Sequence, residues 1–183
     1  HSFPWTPPPG VAALRVADAR LALGRLARAF YGDPSAGLTL VAVTGTNGKT
    51  TVAYLLEAIL AAAGHAVGVL GTVNYRYGNR TFPAPNTTPE SCEFQRLLRE
   101  MADAGVSQIV AEVSSHEVDL KRVDEVAFDI GVFTNLSQDH LDYHGTMEAY
   151  YLAKRRLFTE VLPAGGGYDM VVTHFVFDCW SPD

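Results

Sequence analysis

Cysteine is nearly missing from this chain: Cys92 and Cys179 are the whole complement of 183 residues. Two thiols make no disulfide framework, so a reducing, cytoplasmic setting is expected. No apolar run reaches the length needed to span a bilayer, so no membrane partner is expected. No charged stretch followed by an apolar core opens the chain, so no signal peptide is expected either. An initiating methionine is also missing, and His1 stands first, as in a fragment. Basic residues are in the minority, 14 Lys and Arg against 20 Asp and Glu, for a formal net charge of −6. With no basic patch, nucleic acid is not an expected partner. An acidic chain still binds an anionic nucleotide where a local cluster of donors and a metal outweighs the overall charge. Internal repeats and low-complexity tracts are absent beyond a mild alanine bias. One monomeric globular domain, with remnants of a neighbour, is expected at this length.

What is present is a chain 48% hydrophobic, enough for a real core. Phe3-Pro4-Trp5 and Pro7-Pro8-Pro9 read as an extended arm. Val16–Phe30 reads as a helix that ends at the turn signal Tyr31-Gly32-Asp33-Pro34. Leu38–Val43 is a short apolar run before a glycine turn, hence a buried strand. A helix follows over Thr50–Ala63, with Val52, Leu55, Leu56, Ile59, Leu60 and Ala63 on one face. Ala66–Val73, Gln108–Val113 and Phe128–Phe133 read as further strands. Phe94, Leu97, Leu98 and Met101 mark another helix, and Thr146–Val161 a last one. Such alternation predicts an α/β fold, a mostly parallel sheet with helices on both faces. Ligands of such sheets bind at the carboxyl ends of the strands.

Thr44-Gly45-Thr46-Asn47-Gly48-Lys49-Thr50-Thr51 joins the first strand to its helix. Glycines let backbone wrap a phosphate, and the helix start offers free N–H groups and a positive dipole end. Lys49 supplies a point charge for the terminal phosphates, and Thr50 a hydroxyl for Mg²⁺. The loop departs from G-x-x-x-x-G-K-[ST], because Val43 stands where the first glycine belongs.

Glu112 ends the apolar strand Ile109–Val113, where a carboxylate needs a partner. Mg²⁺ beside nucleotide phosphates would serve, and an exposed edge position is the alternative. Asp139-His140-Leu141-Asp142-Tyr143-His144 is a second polar cluster. Its composition also allows a zinc pair of His140 and His144, with Asp139 or Asp142. Lys154 lies on the apolar stripe of the last helix, with Met147, Tyr150, Tyr151, Phe158 and Val161. Burial favours a neutral amine, which reacts with CO₂ to give a carbamate, an anionic oxygen ligand suited to Mg²⁺. Snorkelling from the edge of the stripe is the alternative. In Asn86-Thr87-Thr88-Pro89, Thr88 is expected to cap the next helix, with Pro89 at its first position. Taken alone, Arg122 reads as a surface arginine.

The loop Thr44–Thr51 resembles the phosphate loop of the Mur ligases; the related folylpolyglutamate synthases usually carry Gly-Ser after the lysine. Phe133–Gly145 followed by Tyr151-Leu152-Ala153-Lys154, together with Asn86–Pro89 and Glu112–His116, is similar to the MurE type. The resemblance runs from roughly Val16 to Pro163. It implies a central ATP-binding domain over 38–164, preceded over 1–37 by a remnant of a uridine-binding domain. Residues 165–183 form an atypical tail whose first part reads as a strand, and a C-terminal domain is missing.

By the same resemblance, Gly45, Thr46, Asn47, Gly48, Lys49, Thr50, Thr51 and Asn135 bind the nucleotide. Thr50 and Glu112 serve one Mg²⁺, and His140 and carbamylated Lys154 a second. Lys49, Lys154 and His140 form the catalytic set. Asn86, Thr87, Thr88, Ser115 and Arg122 contact UDP-N-acetylmuramoyl-L-alanyl-D-glutamate. The implied reaction is ATP-dependent amide formation through an acyl phosphate, with meso-diaminopimelate or L-lysine as the incoming diamino acid. An inactive ATP-binding fragment, or a Mur- or folylpolyglutamate-type ligase with another substrate, is the alternative. Glu117 departs from the family, which has a small residue there. Its charge either repels an anionic substrate or faces solvent.

Overall fold

The computed structural model describes residues 6–162 and, as a strand of backbone, 169–172. Its first helix, α1, spans Ala19–Phe30. It begins three residues later than expected because the Asp18 carboxylate caps it, accepting from the N–H groups of Arg20 and Leu21 at 3.0 and 3.1 Å. There follow β1 (Thr39–Thr44), α2 (Lys49–Ala62), β2 (Val67–Leu70), β3 (Asn74–Tyr77), β4 (Arg80–Pro83) and α3 (Ser91–Asp103). The rest comprises β5 (Gln108–Glu112), α4 (Ser115–Asp119), β6 (Ile130–Phe133), α5 (Leu141–His144), α6 (Met147–Arg156) and β7 (Asp169–Val172). The last helix leaves α geometry early, passing into a π turn over Leu157–Val161. Cys179 and the tail after Val172 lie outside the described residues.

The seven strands form one sheet in the order β4-β3-β2-β5-β1-β6-β7. The run from β2 to β7 is parallel, and β3 and β4 are antiparallel. Alternation along the central strands divides the core. Leu40 and Ala42 of β1 with Ile109 and Ala111 of β5 face α3, where Phe94, Leu97, Leu98 and Met101 are fully buried. Val41, Val43 and Val110 face α2 and its Val52 and Ala53. Each such burial contributes on the order of 2 kcal/mol. Both faces are therefore covered, as a parallel sheet requires.

Two expectations are corrected here, and one hairpin is added. The β3–β4 hairpin turns at Gly78, with φ of +53°. It alternates buried Tyr75 and Tyr77 with Arg76, which pairs with Glu57 at 2.5 Å and stacks on Tyr54. The apolar face expected of α2 is rotated: Val52 and Ala53 are buried, whereas Leu55 and Ile59 are 52% and 62% exposed. Finally, Thr88 does not cap α3. Glu90 holds that position without a side-chain hydrogen bond, and buried Thr88 donates its hydroxyl to the Glu112 carbonyl at 2.9 Å. Among the described residues no helix is long and apolar enough to cross a membrane.

Candidate functional site

The carboxyl ends of β1, β5 and β6 meet at one edge, because Val43 pairs with Glu112 and Thr44 with Phe133. The phosphate loop leaves β1 there. Gly45 has φ of +143°, and a Cβ on it would collide with the Thr134 hydroxyl, so only glycine fits. Gly48, with φ of +83°, turns the chain into α2. The segment after β6 braces the loop. Thr46 N donates to Asn135 O at 2.9 Å. Asn47 N donates to Asn135 Oδ1 at 3.0 Å, and Asn135 Nδ2 donates to Asn47 O at 3.2 Å. Thr134 Oγ1 donates to Asn47 O at 2.6 Å. Buried Thr46 bonds through its hydroxyl to Tyr150 OH at 3.0 Å and accepts from Ser137 N at 3.0 Å.

Two lysines converge on this loop. Lys49 Nζ donates to the carbonyls of Gly45 and Thr46, both at 2.9 Å. Lys154 Nζ donates to the same Gly45 carbonyl at 2.8 Å and lies 4.6 Å from the centre of the Tyr150 ring. Lys154 is 2% exposed, so it is not snorkelling. Burial, helped by the charge of Lys49, lowers its pKa from 10.5 to about 7. A substantial neutral fraction at neutral pH follows. Burial lowers Lys49 as well. Tyr151 and Met147, expected on the same stripe, are exposed at 42% and 37%.

Glu112 is 2% exposed, so it is not an exposed edge carboxylate. Its Oε2 accepts from Thr50 Oγ1 and Thr72 Oγ1, both at 2.9 Å, and its Oε1 accepts from Thr72 N at 3.2 Å. Thr72 escaped the sequence reading. The Gly71-Thr72 pair directly after a strand was its available signal. Thr51 is exposed on the first turn of α2.

His140, in a left-handed conformation with φ of +52°, begins α5. Its ring lies 4.7 Å from that of His116 and 6.0 Å from that of Tyr150. His144, at the far end of α5, meets Ser115 instead, Nε2 to Oγ at 2.9 Å. Burial lowers the pKa of both His116 and His144, which favours their neutral form. Among the described residues no group of three or more His, Cys, Asp and Glu is placed to hold a metal ion, which leaves the zinc alternative without a ligand set.

The expected peptide contacts lie beside β5. Asn86 is exposed, and its carbonyl accepts from Tyr75 OH at 2.5 Å. The Thr87 hydroxyl lies 3.2 Å from that of Thr72. Arg122 is no surface arginine: its side chain is 11% exposed and meets Glu90 at 2.6 Å and Glu117 at 3.6 Å. Arg122 Nη1 also donates to Thr88 O at 3.1 Å. Glu117 faces inward rather than solvent, with Oε2 buried and without a hydrogen-bond partner.

A profile of the Mur ligase middle domain matches residues 43–174, from the strand before the phosphate loop to just past β7. The 2,6-diaminopimelate-adding UDP-N-acetylmuramoyl-L-alanyl-D-glutamate ligase of Geobacter metallireducens is 57% identical over 157 residues, covering 86% of this chain and 31% of that protein. Its counterpart from Geobacter sulfurreducens is 53% identical over 159 residues, again 31% of its length. The chain thus spans about a third of the curated relatives it matches. A solved structure of a UDP-N-acetylmuramoyl-L-alanyl-D-glutamate–2,6-diaminopimelate ligase aligns with a TM-score of 0.69 and 26% identity, covering 86% of this chain and 37% of that one. Escherichia coli FolC with DHPP and ADP aligns at 0.61 and 22% identity over 87% of this chain and 47% of that one, a likeness of fold alone. The matched segment takes in more than half of the chain, and on that ground the chain belongs to the Mur ligase middle-domain family.

Proposed function

We propose that this chain provides the ATP site and part of the acceptor site of an ATP-dependent amide ligase of peptidoglycan precursor synthesis. The substrate proposed is UDP-N-acetylmuramoyl-L-alanyl-D-glutamate. Diaminopimelate rather than L-lysine is proposed as the diamino acid, because the relatives carry it in their names. The γ-phosphoryl group passes from ATP to the side-chain carboxylate of the D-glutamate unit, giving ADP and an acyl phosphate. The diamino acid's amine then displaces phosphate and loses a proton, leaving the amide.

The observation that carries this reading is the buried Glu112 carboxylate, bonded to the Thr50 hydroxyl beside the phosphate loop. This all-oxygen donor set, with no Lys or Arg bonded to Glu112 among the described residues, suits Mg²⁺. When bound, that ion would neutralise charge on the transferring phosphoryl group. Lys49 would exchange the loop carbonyls for phosphate oxygens. The neutral amine of Lys154 is the form that adds CO₂, giving a carbamate and releasing one proton. His140 and Lys154, which both lie near the Tyr150 ring, are the proposed second metal pair. Asn86, Thr87, Thr88, Ser115 and Arg122 are proposed to line the way to the peptide.

Calorimetric titration with ATP tests the reading. Binding that needs Mg²⁺ and weakens about 30-fold in Lys49→Ala is expected, since a hydrogen bond to a charged group contributes roughly 2 kcal/mol. Absence of Mg²⁺-dependent binding by the folded chain would sink the reading. Gentle intact-mass measurement in bicarbonate should show one added CO₂, lost in Lys154→Met. Since the chain spans 31% of its relatives, a second reading is that it binds nucleotide in isolation without turning over. Product formed from ATP, precursor and diaminopimelate would overturn that second reading.

A further inference from the structure

Glu112 owes its place to the turn after β2. A Cβ on Gly71 would collide with the Glu112 carboxylate, so the turn after β2 closes over that group only because residue 71 is glycine. Thr72 then grips the carboxylate twice, through its N–H at 3.2 Å and its hydroxyl at 2.9 Å. The same hydroxyl lies 3.2 Å from that of Thr87. One hydroxyl carries one proton. The Thr72 hydroxyl is placed to donate either to Glu112 or to the Thr87 hydroxyl, so its single proton is shared between the two acceptors, and the charged carboxylate is the stronger one. A continuous path Thr87–Thr72–Glu112–Thr50 therefore joins the peptide side to the helix that follows the phosphate loop.

From this path we infer that Thr72 is a positioning residue: it fixes the Glu112 carboxylate for the nucleotide's divalent cation and couples that cation to whatever engages Thr87. The inference rests on the nucleotide–metal reading above. Its physical basis is general. Groups that hydrogen-bond a metal-binding carboxylate restrict its rotation, so the ion meets a carboxylate already aimed. A hydroxyl shared between two sites carries a reciprocal coupling, because any ligand that reorients Thr87 changes the bond Glu112 receives. Thr72 is itself exposed, so replacing it opens no core cavity.

Calorimetry with ATP, with and without Mg²⁺, on wild type, Thr72→Val, Thr72→Ser, Thr87→Val and the Thr72→Val/Thr87→Val pair tests the inference. Thr72→Val should weaken Mg²⁺-dependent binding about 10-fold, the lower end for loss of a group behind a metal ligand, and leave Mg²⁺-free binding unchanged. That unchanged binding also shows that the variant is folded. Thr72→Ser should behave as wild type. Thr87→Val should lose less, and the double variant no more than Thr72→Val alone. Full Mg²⁺-dependent affinity in Thr72→Val, or a serine variant as weak as the valine one, overturns the inference while wild-type binding leaves the nucleotide reading standing. Independent, additive losses in the double variant overturn the coupling. Wild type that binds no Mg²⁺-dependent ATP overturns the reading and this inference together.

Discussion

The phosphate-loop side of the sheet edge and its peptide side are built in opposite ways. Around the loop, Thr46, Asn47, Lys49 and Lys154 all bond within the chain, and the Thr44 hydroxyl is a buried exception. On the peptide side, Glu117 Oε2 and Arg122 Nε are buried without partners, and the two side chains meet at only 3.6 Å. The first region is pre-organised by its own backbone. The second leaves polar groups unmet in the free chain, which costs stability and leaves more for a ligand to satisfy.

The largest effect expected from this contrast is at Arg122. Arg122→Met strands the Glu117 carboxylate in an interior where its side chain is 11% exposed. Breaking one side of such a buried pair costs about 3 kcal/mol. Adding Glu117→Gln should restore most of that loss. Glu117→Gln alone should cost little, since Glu90 stays 2.6 Å from Arg122. Urea denaturation measures all three variants. If Arg122→Met loses under about 1 kcal/mol, the pair behaves as an exposed one and the contrast fails.

A smaller effect should come from the pre-organised side. Gly45→Ala meets both a φ of +143° and the Thr134 hydroxyl. A strained backbone of this kind costs about 2 kcal/mol. The larger consequence is for ligand: the loop must shift, so ATP binding should be lost while the unfolding transition persists at lower urea. Retained ATP affinity in Gly45→Ala would show that the loop reshapes freely.

The pre-organised side was also the more legible in sequence. Gly45, Gly48, Lys49 and Thr50 stand out by order and spacing, since the turn between β1 and α2 is a local backbone structure. Lys154 was legible because a charged residue on an apolar helical stripe is conspicuous, although Met147 and Tyr151 of that stripe proved exposed. The peptide side depends on contacts between distant segments. Thr88 looked like a helix cap, and only the approach of β5 reveals its bond to the Glu112 carbonyl. Thr72 and the inward turn of Glu117 are likewise products of tertiary packing. The β3–β4 hairpin could have been found, for Tyr75 to Phe82 alternates around a Gly78-Asn79 turn.

A separate effect, which probes the loop's own electrostatics, is the pH dependence of stability at Lys154. Its pKa falls from 10.5 to about 7 on folding, through burial and then the charge of Lys49. Between those values the unfolded chain holds a proton that the folded chain has released. Stability from this group therefore rises as pH climbs from about 7 to 10.5, and its cost is full below 7. Lys154→Met keeps an unbranched side chain and removes the titration. Measured in CO₂-free buffer, the variant should be the more stable protein at pH 6, and its advantage should shrink steadily towards pH 10.5. Groups remote from Lys154 cancel in the difference, while His116 and His144, which feel its charge, add a smaller change in their own range. Parallel stability curves across that window would mean that the Lys154 amine stays charged inside the fold, with the Gly45 carbonyl and the Tyr150 ring holding it as an ammonium. Lys154 would then be a fixed positive charge beside the loop, and a carbamate at this position would lose its chemical basis.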